Sequence, residues 1–95
     1  MLKKFKSQEI EDLANRYPSP QYPLSVNKLA PRKILLVAQA KNLRELSNYP
    51  ANRLEKLVGN QWSIRISKQY RIVFIWENNQ AWEIDINKHD KSYGK

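Results

Sequence analysis

Along the first half of the chain apolar residues recur every three or four positions, and along the second half they alternate with polar ones. In residues 7–17, SQEIEDLANRY, the set Ile10, Leu13, Ala14 and Tyr17 falls on one side of a helix. Ser7 stands where an N-cap belongs, and Glu9, Glu11 and Asp12 lie toward the positive N-terminal end. Pro18, Pro20 and Pro23 end this helix and stiffen the connection after it. A second helix covers part of 25–40, with Val26, Ala30, Ile34 and Val37 as its apolar stripe. Pro31 either kinks that helix or marks its first turn. NLREL adds a helical turn, SNYPAN reads as a loop, and the opening MLKKF as a short edge strand.

Polar clusters then separate four short segments, RLEKLV, QWSIRIS, YRIVFIW and AWEIDIN. Their β-branched and aromatic content and period-two alternation predict an antiparallel meander, with turns at Gly59-Asn60, Lys68-Gln69 and Asn78-Asn79. Helices precede strands, so the class is α+β: two N-terminal helices packed on one face of a mostly antiparallel sheet. Residues 1–95 show no repeat or linker and are expected to form a single domain.

The middle hairpin carries an arginine in each strand. Trp62, Ile64 and Ile66 share one face, as do Tyr70, Ile72, Phe74 and Trp76, leaving Arg65 and Arg71 on the other. Joining both apolar rows into one core face pairs Ile66 with Tyr70 and Ile64 with Ile72, and sets Arg65 opposite Arg71. That register needs a three-residue loop, Ser67-Lys68-Gln69; a two-residue turn would slip it by one and expose half the apolar set. The same matching places Arg71 opposite Asn87, although a two-residue turn at Asn78-Asn79 would break it. Opposed like charges cost up to ~1 kcal/mol. Either an anion binds this face, or the arginines merely pair with Glu83 and Asp85.

Charge favours an anion. The chain has 17 Lys and Arg against 9 Asp and Glu, a net charge of +8, spread over both halves. A basic folded body attracts polyanions, foremost nucleic acid, although the same charge also serves solubility. Cysteine is absent and His89 is the one histidine, which excludes a disulfide framework, a thiol nucleophile and a histidine–cysteine zinc site. The start lacks the apolar core of a signal peptide, and no apolar run reaches membrane-spanning length. A cytoplasmic protein acting without metal or cofactor is expected.

Cleaving RNA without metal requires a base for the ribose 2′-hydroxyl, an acid for the leaving 5′-oxygen, and cations on the phosphate as its charge rises. The segment KHDKSYGK, residues 88–95, supplies His89 and Asp90 for proton transfer. Arg65 and Arg71 would hold the phosphate through the planar guanidinium fork. Lys68, Lys88 and Lys91 would steer the strand, and Tyr93 or Trp62 would stack a base. A solvated histidine in a charged tail is the plainer alternative.

The sequence resembles the HigB-type toxins of the RelE/ParE superfamily over nearly its whole length. The resemblance is carried by KKF, RKILLVAQAKNLREL, YPANRLEKLVGN, QWSIRISKQYRIVFIW and AWEIDI. It implies the α+β fold inferred above and a ribosome-dependent endoribonuclease that cuts messenger RNA and stops translation. It further implies a helix-turn-helix antitoxin of HigA type as partner, and it matches its two strand arginines to Arg65 and Arg71. The family's usual Asp-Tyr-His ending is replaced here by Lys88-His89-Asp90, and the Gly-rich connection before SIRI is reduced to Gly59-Asn60. Two other functions stand beside the ribonuclease: a non-enzymatic gyrase poison of ParE type, and a plain nucleic-acid-binding module.

Overall fold

A computed structural model describes residues 2–88. Three α-helices come first: α1 (Gln8–Ala14), α2 (Leu24–Gln39) and α3 (Leu43–Ser47). A 3-10 turn (Pro50–Asn52) leads into four strands, β1 (Glu55–Lys56), β2 (Gln61–Arg65), β3 (Tyr70–Glu77) and β4 (Gln80–Lys88). The strands pair antiparallel in sequence order. None of the described helices is long and apolar enough to cross a membrane.

Helix α1 is capped as its sequence predicts, with the Ser7 hydroxyl accepting from the Ile10 N–H. It ends at Ala14, three residues earlier than the apolar spacing suggests. Arg16 then takes a left-handed φ of 69°, which swings Tyr17 off the buried face and leaves it 66% exposed. Helix α2 starts at Leu24 behind Pro23 and runs through Pro31, which is buried within it. Pro31 therefore does not mark the first turn. Asn27 ties the proline-rich connection to α2: its amide accepts from the Ser19 N–H and donates to the carbonyls of Ser19 and Tyr22.

The core lies between α1, α2 and one face of the sheet. Ile10, Leu13, Val26, Ile34 and Val37 from the helices meet Ile64, Ile72, Phe74, Ile84 and Ile86 from the strands, all buried. Residues 2–5 form no regular strand. They run beside β4 through an isolated parallel bridge, Phe5 to Ile84, and Glu83 and Ile84 donate to the carbonyls of Lys3 and Lys4. The segment RLEKLV contributes only Glu55 and Lys56 to the sheet, which pair with Ser63 and Trp62.

In the middle hairpin Ile64 pairs with Ile72 and Arg65 with Arg71, and the Ile66 N–H bonds to the Tyr70 carbonyl across the loop 67–69. The last hairpin resolves a conflict in the sequence. It does turn on two residues, Asn78 and Asn79, both at positive φ (55° and 60°), as a type I′ turn requires. Arg71 nonetheless faces Asn87, because the register shifts between Val73 and Ile75. Glu83, at φ 52°, supplies the extra residue of this bulge. One inserted residue thus keeps Ala81, Ile84 and Ile86 on the core face and Asp85 and Asn87 on the other.

The turn also yields a stability prediction. Asn79→Gly should stabilise the protein by about 0.5–1 kcal/mol, since glycine carries no steric penalty at this φ. Urea unfolding should show a raised midpoint at unchanged slope.

Candidate functional site

Arg71 lies on the sheet face away from the helices, with its side chain 13% exposed. Three groups hold its guanidinium. Nε donates to the Ser63 hydroxyl at 2.9 Å, Nη2 donates to the Arg53 carbonyl at 2.7 Å, and the Glu55 carboxylate lies 3.7 Å from Nη2. Each contact has a local cause. Ser63 is two residues before Arg65 and shares its face of β2. Arg53 follows the 3-10 turn at a left-handed φ of 47°, and its carbonyl accepts from Arg71. Glu55 reaches the face because β1 pairs it with Ser63.

Arg65 and Arg71 are opposed in register, yet their head groups part. Arg65 Nε donates to the Ser67 carbonyl in the loop, whereas Arg71 reaches back toward Ser63 in the middle of β2. Burial pushes the Arg71 pKa down, Glu55 opposes the shift, and Arg65 and Arg53 add to it. A guanidinium starts so high that it stays charged throughout. The alternative pairing with Glu83 and Asp85 is not what holds Arg71. Glu83 accepts from the Lys3 N–H, and among the described residues Glu55 is the carboxylate in salt-bridge range of Arg71.

Lys33, absent from the sequence-based candidates, reaches the site's edge from α2. Its ammonium donates to the Arg65 carbonyl at 2.6 Å and to the Asn52 side-chain oxygen at 3.1 Å. Asn52, itself buried, donates in turn to the Leu46 carbonyl at 3.0 Å. Burial lowers the Lys33 pKa first, and the fields of Arg65 and Arg71 lower it further. A nitrogen-detected NMR titration should therefore find this ammonium losing its proton below the ordinary lysine range.

Arg71 forms part of the wall of an open groove of about 400 Å³, lined also by Glu55, Leu57, Ser63, Val73, Asn87 and Lys88. Lys88 closes β4 opposite Tyr70. Of the other expected residues, Lys68 is exposed in the loop 67–69 and does not line this groove. Trp62 faces the other way: it packs against the core with the Lys56 ammonium 5.9 Å from its ring centre, so it offers no stacking surface here. His89, Asp90, Lys91 and Tyr93 lie outside the described residues. Among the described residues no cluster of three or more His, Cys, Asp or Glu is placed to hold a metal ion.

Sequence reasoning missed Glu55, Lys33 and Arg53. Glu55 was findable in principle from the β1–β2 pairing, but a two-residue strand leaves too little alternation to fix a register. Lys33 and Arg53 enter through tertiary packing, which no local pattern encodes.

This geometry can hold an anion. A guanidinium fixed by two neutral acceptors and one exposed carboxylate sits in the wall of a groove that Lys88 also lines. Such a fork is preorganised for a phosphate that displaces Glu55 from its edge.

Residues 3–89 match the family model described as the RelE-like toxin of the type II toxin–antitoxin system HigB. Toxin HigB-1 of Vibrio cholerae is 36% identical over 70 residues, covering 70% of this chain and 74% of that protein. An uncharacterized protein of Haemophilus influenzae is 33% identical over 70 residues, covering 70% of this chain and 69% of its own. Arg65, Arg71 and the strands that carry them all fall inside the family match, and the chain belongs to the HigB family of RelE-like toxins of type II toxin–antitoxin systems.

Proposed function

We propose that this toxin is a metal-independent endoribonuclease that cuts messenger RNA on the translating ribosome in the cytoplasm, acting through one toxin domain spanning residues 1–95. The observation that carries the reading is the Arg71 guanidinium, held by Ser63 and Arg53 at the wall of a groove that Lys88 also lines. In the proposed reaction a base takes the proton of the ribose 2′-hydroxyl, and its oxygen attacks the adjacent phosphorus. The 5′-oxygen leaves with a proton from an acid, and a 2′,3′-cyclic phosphate remains. Negative charge grows on the phosphate as the new bond forms, and Arg71 stabilises it directly, with Arg65 adding its charge from beside it.

His89 and Asp90 supply the proton transfer. They follow directly on Lys88 in sequence, and only an imidazole has an unperturbed pKa near neutrality, ~6.5. Lys88, Lys68 and Lys91 attract the RNA backbone, and Tyr93 stacks on a base. The partner that restrains the toxin is a helix-turn-helix antitoxin of HigA type.

Mapping RNA ends by primer extension after brief expression without the antitoxin tests this reading. Growth should arrest and discrete cuts should appear in translated messages. Cuts that persist unchanged when initiation is blocked would contradict ribosome dependence. Growth arrest with altered DNA supercoiling and no cuts would favour a gyrase poison instead.

A further inference from the structure

A second cluster of cations lies beyond the Arg71 groove. Lys33, Arg53 and Arg65 line a separate cleft of about 490 Å³, walled by Pro50, Ala51 and Ile66, and no carboxylate is among its lining residues. Bringing three cations to one cleft is unfavourable unless something anionic repays it, and the Lys33 ammonium already feels the charges of Arg65 and, from the adjoining groove, Arg71. The carboxylate of Glu55 does not serve here, because it faces Arg71 from the other groove.

The cleft is also built rather than incidental. Lys33 bridges α2 to the 3-10 turn and to the end of β2, which fixes its ammonium while leaving one of its three N–H donors unassigned. Arg65 uses Nε toward Ser67, and its two terminal nitrogens make no bond among the described residues. Arg53 joins the two sites, with its carbonyl holding Arg71 and the residue itself lining the cleft.

We infer that this cleft is a second phosphate subsite, taking the phosphodiester of a nucleotide neighbouring the one bound at Arg71. The inference rests on the reading of the sheet face as an RNA site and extends it by at least one phosphate along the strand. Two guanidinium forks and an ammonium suit a phosphodiester. Pro50, Ala51 and Ile66 give apolar walls on which a ribose or base edge can rest.

The test is an NMR titration of the full chain with two uncleavable 2′-deoxy probes. One is a thymidine dinucleotide with a single phosphodiester, the other a thymidine tetranucleotide with three. Arg53→Gln should weaken the tetranucleotide about tenfold more than it weakens the dinucleotide, the loss of one charge-assisted contact. Its salt dependence should fall by about 0.7 in log–log slope, the single-strand increment per phosphate. Arg53→Lys should recover part of the loss, which separates side-chain charge from backbone damage. Arg71→Gln should weaken both probes.

If Arg53→Gln weakens neither probe while Arg71→Gln weakens both, the second subsite is wrong and the primary reading stands. If Arg71→Gln weakens neither, the nucleic-acid reading of the face itself fails. Loss of antitoxin binding by Arg53→Gln with both probes unaffected would assign the cleft to an acidic protein segment and overturn the inference.

Discussion

Arg71→Ala is expected to abolish toxicity, with single-turnover mRNA cleavage lowered ~10²–10³-fold, while the protein still folds and binds its antitoxin. The rate loss is that of a donor whose contact strengthens as charge grows on the phosphate, ~3–4 kcal/mol. The structure adds a stability cost to this prediction. Ser63 is fully buried and its hydroxyl accepts from Arg71 Nε, so the alanine variant removes that partner and opens the hydroxyl to the groove. The Arg53 carbonyl loses its partner as well. Together the two lost hydrogen bonds to a charged donor should lower stability by about 1–3 kcal/mol. Circular dichroism and urea unfolding check both halves. A variant that is unfolded outright would make Arg71 a structural tie between β1, β2 and β3 rather than a phosphate ligand.

The second large effect is expected at His89. His89→Gln should slow cleavage of ribosome-bound mRNA by roughly 10²–10⁴-fold and change its pH profile between pH 5 and 9. Asn87 and Lys88, which line the groove that holds Arg71, precede His89 directly in sequence. Proton transfer by the imidazole predicts both the rate loss and the altered profile. A loss below about tenfold with an unchanged profile would leave cleavage to positioning and the cations alone.

How far the sequence could be read depended on whether one residue's neighbours constrained it. The Arg65–Arg71 pairing was legible because two apolar rows of β2 and β3 had to meet on one face, and a slip of one would have exposed them. The Arg71–Asn87 pairing was legible only as a conflict with the Asn78-Asn79 turn. What reconciles the two is a bulge at Glu83, a non-glycine residue with positive φ that carries no bulge signature in the sequence. The edges were least legible. MLKKF and RLEKLV both look like strands, but each has a neighbour on one side only and contributes a bridge or two residues. The candidate site followed the same division. Its arginines sit in strands with strong alternation and could be placed, whereas Glu55, Lys33 and Arg53 arrive from a short strand, a helix and a left-handed corner that only the assembled fold brings together.

The measurement that bears most directly on the central claim uses purified ribosomes carrying a defined mRNA with an open decoding site. Wild-type toxin and Arg71→Ala, matched for folding by circular dichroism, are mixed with this complex and with the same mRNA free in solution, and the 5′ ends are mapped over a single turnover. The expected result is a discrete cut at the decoding site by the wild type, little or no cutting of free mRNA, and a ~10²–10³-fold slower cut by Arg71→Ala. Cleavage by Arg71→Ala at the wild-type rate, or no cut by the wild type under conditions that arrest growth, would contradict it.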